Sequence, residues 1–218
     1  VEGYGMPAAV ETAAIRIKKA GGQLDYVAFD EPVWHGHEGK GLTGAGRTFC
    51  SDSIADLVDQ IVPKIVILHS YFPNAAFGDI DPISGVHPEG VGDLTAFFDR
   101  LNQVSPVKLT FFQADIAWQT PGWRPHLEAL SAGLRQRGVR VGVICDGGGS
   151  AVTGQEARTN QAWVQAAVQR CQDLAKDPHV RPDDFVVQSW EPLPTRMLPE
   201  TDPGTLTYEL NAIAEFSR

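Results

Sequence analysis

The stretch Leu24-Asp25-Tyr26-Val27-Ala28-Phe29-Asp30-Glu31-Pro32 decides the fold class. Its first part, Leu24–Phe29, has the length and composition of a short buried strand, and two carboxylates and a proline follow it. A helical pattern precedes this strand over Pro7–Gly22, where apolar residues recur at helical spacing until Gly21 and Gly22 end the helix. A helix followed by a buried strand is the start of an alternating α/β pattern.

The alternation continues along the rest of the chain. We expect a helix that Ser51 or Asp52 caps and that runs to about Tyr71 through Pro63, although Lys64–Leu68 also has the β-branched content of a strand. The later predicted strands are Ala75–Ile80, Val107–Phe112, Val139–Cys145 and Phe185–Ser189; the later helices lie around Leu94–Leu101, Leu127–Leu134, Trp163–Cys171 and Leu206–Phe216. Five strand–helix units predict parallel strands joined by crossover helices.

An open doubly wound sheet and a (β/α)8 barrel both satisfy this pattern. No glycine-rich nucleotide-binding motif follows any strand, so the barrel is favoured. Even with a possible strand end at Val1-Glu2, the strands are too few for an eight-stranded barrel. The chain also starts with valine. We therefore expect one partial TIM-barrel-like α/β domain over residues 1–218, whose first β/α units lie upstream of Val1.

Composition excludes several classes of protein. Of the 218 residues, 43% are apolar, which is enough for a core and excludes a disordered chain. The 18 Lys and Arg against 27 Asp and Glu give a net charge of −9, which argues against nucleic acid and an anionic membrane surface as partners. No apolar run is long enough for a transmembrane helix. Three cysteines without a CxxC motif indicate separate thiols or one incidental bridge.

The carboxyl ends of the predicted strands carry the candidate functional residues, because active sites of parallel α/β folds lie there. Each strand brings at least one carboxylate to this edge, and three bring a tryptophan beside it. The residues are Asp30, Glu31, Asp79, Asp81, Asp115, Asp146 and Glu191, with Trp34, Trp118 and Trp190. Carboxylates and tryptophans around a cleft favour glycoside hydrolysis, in which one carboxylic acid protonates the leaving oxygen and a second carboxylate attacks the anomeric carbon or activates water.

Asp30-Glu31-Pro32 at a strand end resembles the Asn-Glu-Pro signature at strand 4 of the large clan of (β/α)8 retaining glycosidases. A longer run of signatures resembles a group of bacterial glycosidase-like barrel proteins. These signatures are Val1-Glu2-Gly3-Tyr4-Gly5, Phe29-Asp30-Glu31-Pro32, Gly78-Asp79-Ile80-Asp81-Pro82, Gln113-Ala114-Asp115, Ser189-Trp190-Glu191-Pro192 and Leu198-Pro199-Glu200-Thr201-Asp202-Pro203. The resemblance implies that Leu24–Asp30 is strand 4 and that Glu31 is the acid/base. The chain departs from the clan at Asp146, where the clan has its nucleophilic Glu.

We therefore expect a secreted or periplasmic glycosidase that acts on a poly- or oligosaccharide without a metal or other cofactor. Glu31 is the expected general acid, Asp115 is the favoured second catalytic carboxylate, and Asp81 and Glu191 compete with it. The expected substrate-binding residues are Asp30, Trp34, His35, Asp79, Gln113, Trp118, Asp146 and Trp190. We expect these carboxylates in one cleft. A Glu31–Asp115 separation of about 5–5.5 Å implies retention and about 6.5–9.5 Å inversion, and the short Asp146 favours the longer separation.

Two other functions fit the same residues. The first is a metal-dependent sugar isomerase or hydrolase of the barrel type. Its oxygen ligands would come from Glu31, Asp79, Asp81, Asp115 and Asp146, and its nitrogen ligands from His35 and His37. The second is a barrel that binds a glycan without cleaving it.

Overall fold

The computed structural model describes residues 6–37, 51–84, 90–148, 159–189 and 192–217. The strands are β1 (Tyr26–Asp30), β2 (Ala76–Ile83), β3 (Leu109–Ile116), β4 (Arg140–Cys145) and β5 (Asp184–Val187). The helices are α1 (Pro7–Lys19), α2 (Ile54–Tyr71), α3 (Gly90–Val104), α4 (Trp123–Gln136), α5 (Asn160–Lys176) and α6 (Leu206–Phe216). A π-helical turn, Pro32–His37, follows β1. Strands and helices therefore alternate as the sequence predicts.

The five strands are parallel and form one sheet in the order β1-β2-β3-β4-β5. The expected α/β class is confirmed. The described residues do not form a full eight-stranded barrel, because they supply five of the eight strands that closure of such a barrel needs. The possible strand end at Val1-Glu2 lies outside the described residues. The expected β/α units upstream of Val1 stay a prediction.

The chain divides into two compact units. The first contains the described residues up to 82, together with residues 90–112 and 133–139. The second contains residues 83–84 and 113–132, together with the described residues from 140 onwards. The candidates that follow β1 or lie on β2 belong to the first unit. Those on β3 and after β4 belong to the second.

In the first unit, β1 and β2 bury the apolar side chains of one face. Val27 lies beside Phe77 in the parallel register, and Phe29 lies beside Asp79. Val27, Phe29 and Phe77 are all buried. The Phe77 ring meets the His69 ring of α2 edge to face, with a centroid separation of 6.3 Å. α2 therefore covers the face of β2 that carries Phe77.

The helix α2 is amphipathic. Its buried side carries apolar residues from Leu57 to Leu68, which accounts for the length of the helix. The apolar residues of this side are Leu57, Val58, Ile61, Ile65 and Leu68. The expected caps Ser51 and Asp52 are wrong, because Ser53 precedes the helix and its hydroxyl accepts a hydrogen bond from the Asp56 N–H at 3.1 Å. Pro63 lies inside the helix on an exposed position. The expectation of one continuous helix to Tyr71 is confirmed.

Two strands are longer than the sequence predicts. β2 continues beyond Ile80 to Ile83, and β3 continues beyond Phe112 to Ile116. The predicted ends are wrong because Asp81 and Asp115 continue the alternation of more and less buried side chains instead of starting a loop. Both carboxylates are therefore held by strand backbone.

Gly78 lies on the opposite face of β2 from Phe77. The Phe111 ring of β3 packs directly over Gly78, and a Cβ atom at this position would overlap the ring. The ring of Tyr26 also meets Phe111, edge to face at a centroid separation of 5.6 Å. Packing therefore explains why the residue before Asp79 is glycine.

In the second unit, α5 and α6 pack together beside the parallel pair β4 and β5. The Phe185 ring of β5 meets the Phe216 ring of α6 edge to face, at 5.9 Å between centroids. A disulfide joins Cys145, the last residue of β4, to Cys171 of α5, with 6.2 Å between their Cα atoms. Of the two alternatives for the cysteines, the bridge is the one found. Cys50 lies outside the described residues.

Candidate functional site

Glu31 follows β1 directly and has a left-handed backbone conformation with φ of 50°. Among the residues that the structure describes, no other non-glycine residue has a positive φ. This conformation costs roughly 1–3 kcal/mol for a residue with a Cβ atom, and such strain concentrates at functional sites. The Glu31 N–H donates to the carbonyl oxygen of Ile80 at 2.7 Å. The strained residue is therefore tied to the neighbouring strand β2.

The π-helical turn Pro32–His37 carries the candidates Trp34 and His35. The His35 N–H donates to the carbonyl oxygen of Glu31 at 3.0 Å. Nε2 of His35 also contacts a carboxylate oxygen of Glu31, so the two side chains pair across one turn. The Glu31 side chain is 25% exposed and that of His35 is 29% exposed. A carboxyl–imidazole pair thus remains open to a solute at the end of β1.

The carboxylate of Asp81 on β2 accepts hydrogen bonds from the backbone of this turn. Its Oδ2 accepts a hydrogen bond from the Val33 N–H at 3.1 Å, and its Oδ1 accepts one from the Trp34 N–H at 2.9 Å. The first N–H groups of a helical turn have no partner within the turn, and a carboxylate is the strongest acceptor a side chain can offer them. The expected catalytic competitor Asp81 therefore lies against backbone donors and is 1% exposed.

Asp79 lies two residues before Asp81 on the same strand. Because side chains alternate along a strand, both carboxyls lie on the face that carries Phe77 and that α2 covers. Asp79 is fully buried, and neither of its oxygens has a hydrogen-bond donor in the structure. The carboxyl of Asp81 is within hydrogen-bond reach of it. The structure thus brings two of the predicted carboxylates together in a buried pair.

Burial raises the pKa of both carboxyls. For Asp79, desolvation is the largest cause, and the charge of Asp81 adds to it, so its pKa lies well above the usual range. For Asp81, desolvation again raises the pKa, and the N–H groups of Trp34 and Val33 act against this rise without cancelling it. Two adjacent buried carboxyls cannot both ionise without strong repulsion. Both shifts therefore favour the protonated form of the carboxyls.

Asp30 is half-buried and lies beside Ile80 in the register of β1 and β2. Its charge contributes to the raised pKa of Asp79. The first unit therefore brings together six of the predicted site residues: Asp30, Glu31, Trp34, His35, Asp79 and Asp81. Their catalytic and binding roles stay predictions.

The other end of the π-helical turn is also fixed. Nδ1 of His37 lies 2.6 Å from the carbonyl oxygen of Asp52, and the Asp52 N–H donates to the Gly36 carbonyl oxygen at 2.9 Å. Nε2 of His37 lies 3.7 Å from a carboxylate oxygen of Asp93 on α3. The turn is therefore held at both ends, by Asp81 near its start and by Asp52 near its end.

Gln113 and Asp115 lie on β3 in the second unit. Both are half-buried, and the period of two along a strand places them on the same face. The Gln113 side chain packs against Gly142 of β4. The expected pairing of Asp115 with Glu31, and their carboxyl separation, stay predictions.

Arg170 of α5 organises the end of β4. Its Nη1 donates to the carbonyl oxygens of Asp146 and Gly148 at 2.9 and 2.7 Å, and it lies 3.5 Å from Oδ1 of Asp146. The guanidinium also lies over the Trp118 ring, 4.9 Å from its centroid. Trp118 is 7% exposed and meets the Trp123 ring edge to face. The role of Trp118 as a sugar platform stays a prediction.

Glu209 of α6 is a buried carboxyl that the sequence analysis missed. Both of its oxygens are buried without a hydrogen-bond donor. Burial, with the charge of Asp146 as a second cause, raises the pKa of Glu209 to about 8. Its spacing of four residues from the buried Ile213 places Glu209 on the apolar side of the helix, which is the sequence signal that could have revealed it.

Two predicted site residues, Trp190 and Glu191, lie outside the described residues. Within the described part of the chain, no group of three or more His, Cys, Asp or Glu side chains is arranged to hold a metal ion. No helix there is long and apolar enough to span a membrane. The disulfide between Cys145 and Cys171 is consistent with an oxidising compartment.

No protein-family model matches the chain. No curated protein sequence matches it significantly either.

Proposed function

We propose that the protein is a glycoside hydrolase that acts on a poly- or oligosaccharide, with Glu31 as the general acid. The observation that carries the proposal is the strained position of Glu31 at the end of β1, where its carboxyl is partly exposed and pairs with His35. A general acid must reach the leaving oxygen while its carboxyl is fixed in direction. The hydrogen bonds of the adjoining turn to Asp81 supply that fixation.

His35 supports the role of Glu31 in this proposal. An imidazole beside a carboxyl can hold the carboxyl in place and exchange a proton with it. The side chain of Trp34 is half-buried on the same turn and offers an apolar surface for a sugar ring. Asp30 directly precedes Glu31 at the end of β1 and offers a polar group that can bind a sugar hydroxyl.

The second catalytic carboxylate is proposed to be Asp115. Asp81 is a weaker candidate than the sequence suggests, since it is fully buried and both its oxygens accept backbone hydrogen bonds. Asp115 is half-buried and therefore more accessible. Glu191 stays a competitor. The expected stereochemical outcome follows the Glu31–Asp115 separation, with about 6.5–9.5 Å and inversion favoured.

The resemblance to the clan of retaining (β/α)8 glycosidases supports the same reaction class, through Asp30-Glu31-Pro32 at the end of β1. A glycan as substrate fits the acidic chain, which carries a net charge of −9, better than a nucleic acid does. The disulfide supports a secreted or periplasmic location as part of the proposal.

The leaving-group dependence of hydrolysis tests Glu31 directly. Nitrophenyl glycosides release a good leaving group that needs little protonation, whereas alkyl glycosides and polysaccharides need the acid. Glu31→Gln is expected to lower kcat by roughly 10²-fold or more on alkyl glycosides and polysaccharides, and much less on nitrophenyl glycosides. Glu11→Gln, the same change at an exposed position of α1, is the matched control.

Three results would count against the proposal. Equal losses on both substrate classes would remove Glu31 from the acid role. No release from any glycoside by the wild-type protein, with binding to the same glycans, would favour the non-catalytic glycan-binding alternative. Loss of activity on treatment with a chelator, restored by a divalent cation, would favour the metal-dependent alternative.

A further inference from the structure

We propose that Asp79 and Asp81 form a proton-sharing carboxyl pair that positions the π-helical turn Pro32–His37. In this pair, Asp79 carries the proton and donates a hydrogen bond to Asp81. Asp81 accepts hydrogen bonds from the N–H groups of Val33 and Trp34. Both residues are then positioning residues that act on the site through the turn. They contact no substrate.

Both carboxylate oxygens of Asp81 face the backbone of the turn. Each of its oxygens accepts a different backbone N–H of the turn, at 3.1 Å from Val33 and 2.9 Å from Trp34. An ionised carboxylate accepts at both oxygens, whereas an amide in its place offers one acceptor oxygen and one NH2 group that only donates. The turn therefore depends on the carboxylate form of Asp81.

Asp79 lies beside Asp81 without contact to solvent. Its two oxygens are fully buried and have no donor, so an ionised Asp79 would be an uncompensated buried charge. A proton on Asp79 removes that charge and provides an O–H donor that faces the Asp81 carboxyl. One proton between the two carboxyls thus removes the uncompensated charge and gives one oxygen of Asp79 a hydrogen-bond partner, without a cation.

The charged surroundings favour retention of this proton. The titratable groups on the neighbouring elements of the first unit are Tyr26 and Asp30 on β1, Glu31 after it, His35 and His37 on the turn, Asp56, Asp59, Lys64, His69 and Tyr71 on α2, and Asp93, Asp99 and Arg100 on α3. Of these, Asp30 raises the pKa of Asp79 and Glu31 raises that of Asp81, because each adds negative charge nearby.

The consequence for Glu31 rests on the proposed function, whereas the positioning itself does not. Trp34 and His35 lie on the turn, and the His35 N–H donates to the Glu31 carbonyl oxygen. A turn released from Asp81 would therefore free the Glu31–His35 pair as well.

Amide hydrogen exchange of the full chain tests the pair without any substrate. The readout is the protection factor of peptides that cover residues 32–37, which corrects for the intrinsic pH dependence of exchange.

Asp79→Asn replaces the proton with a permanent N–H donor and is expected to keep wild-type protection at pH 7. Asp81→Asn removes an acceptor from Val33 or Trp34 and is expected to lower protection about tenfold or more. Between pH 6 and 10, wild-type protection is expected to fall relative to that of Asp79→Asn, because only the wild type can lose a proton from Asp79.

Each outcome decides for or against the proposal. Equal loss in Asp79→Asn and Asp81→Asn would overturn it, and so would full protection in Asp81→Asn. Parallel pH profiles for the wild type and Asp79→Asn would overturn the shared proton. If Asp81→Asn does not fold, the comparison of the wild type with Asp79→Asn still decides. Failure of the glycosidase assay leaves these exchange results unaffected, so the two proposals fail separately.

Discussion

Oδ1 of Asp81 accepts a hydrogen bond from the backbone N–H of Trp34 at 2.9 Å, across 47 positions of sequence. The bond joins β2 to the turn that follows β1, and the Val33 N–H bonds to the other oxygen of the same carboxylate. Glu31 stands directly before this turn in a strained conformation. The strain persists because the hydrogen bonds on both sides of Glu31 determine the path of the backbone.

A glycine in place of Glu31 is expected to keep or raise the free energy of unfolding, since glycine adopts φ of 50° without steric cost. Glu11→Gly, in the middle of α1, is expected to lower it by about 1 kcal/mol. Urea unfolding of the two variants measures the difference. A loss at position 31 as large as that at position 11 would show that the left-handed conformation stores no strain.

Glu209→Gln is expected to make stability less dependent on pH. The pKa of Glu209 is raised to about 8 in the folded state, so the folded protein binds more protons than the unfolded chain above the usual Glu pKa of about 4.3. Stability therefore falls as pH rises from about 4.3 to about 8, by at most ~1.4 kcal/mol per pH unit from this group. Glu215→Gln, an exposed change on the same helix, is the control. Identical slopes for Glu209→Gln and the wild type would contradict the raised pKa.

The alternation of elements could be predicted from the sequence, because buried apolar runs and helical periodicity are local signals. The bounds Leu206–Phe216 are those observed for α6, and the helix through Pro63 is also observed. The ends of β2 and β3 could not be predicted. Polar residues such as Asp81 and Gln113 continue these strands, since their place is set by neighbours distant in sequence.

The candidate site could be predicted only as a set of residue types. The sequence places Asp79 and Asp81 at a strand end, but the covering of their face by α2 depends on tertiary packing. The hydrogen bonds of Asp81 to the turn and the contact of Arg170 with Trp118 join residues far apart in the chain. No local pattern contains them.

Removal of the disulfide is expected to lower the free energy of unfolding by about 3–4 kcal/mol, from the loop entropy of cysteines separated by 26 positions. The Cys145→Ala, Cys171→Ala double variant tests this by urea unfolding. Dithiothreitol should destabilise the wild type by a similar amount and leave the double variant unchanged. An equal effect of the reductant on both proteins would show that the bridge does not stabilise the fold.

Gly78→Ala is expected to lower the free energy of unfolding by about 1–3 kcal/mol, because the new Cβ overlaps the Phe111 ring. Gly92→Ala is the matched control. It lies inside α3 with no atom near its Cβ position, so alanine should raise stability by up to about 1 kcal/mol.

Phe111→Leu removes the ring that overlaps the new Cβ. The cost of Gly78→Ala should therefore be smaller in that background, with a coupling of about 0.5–3 kcal/mol in a double-mutant cycle. Additive effects of the two substitutions would mean that the ring does not pack on Gly78, and the glycine before Asp79 would then need another explanation.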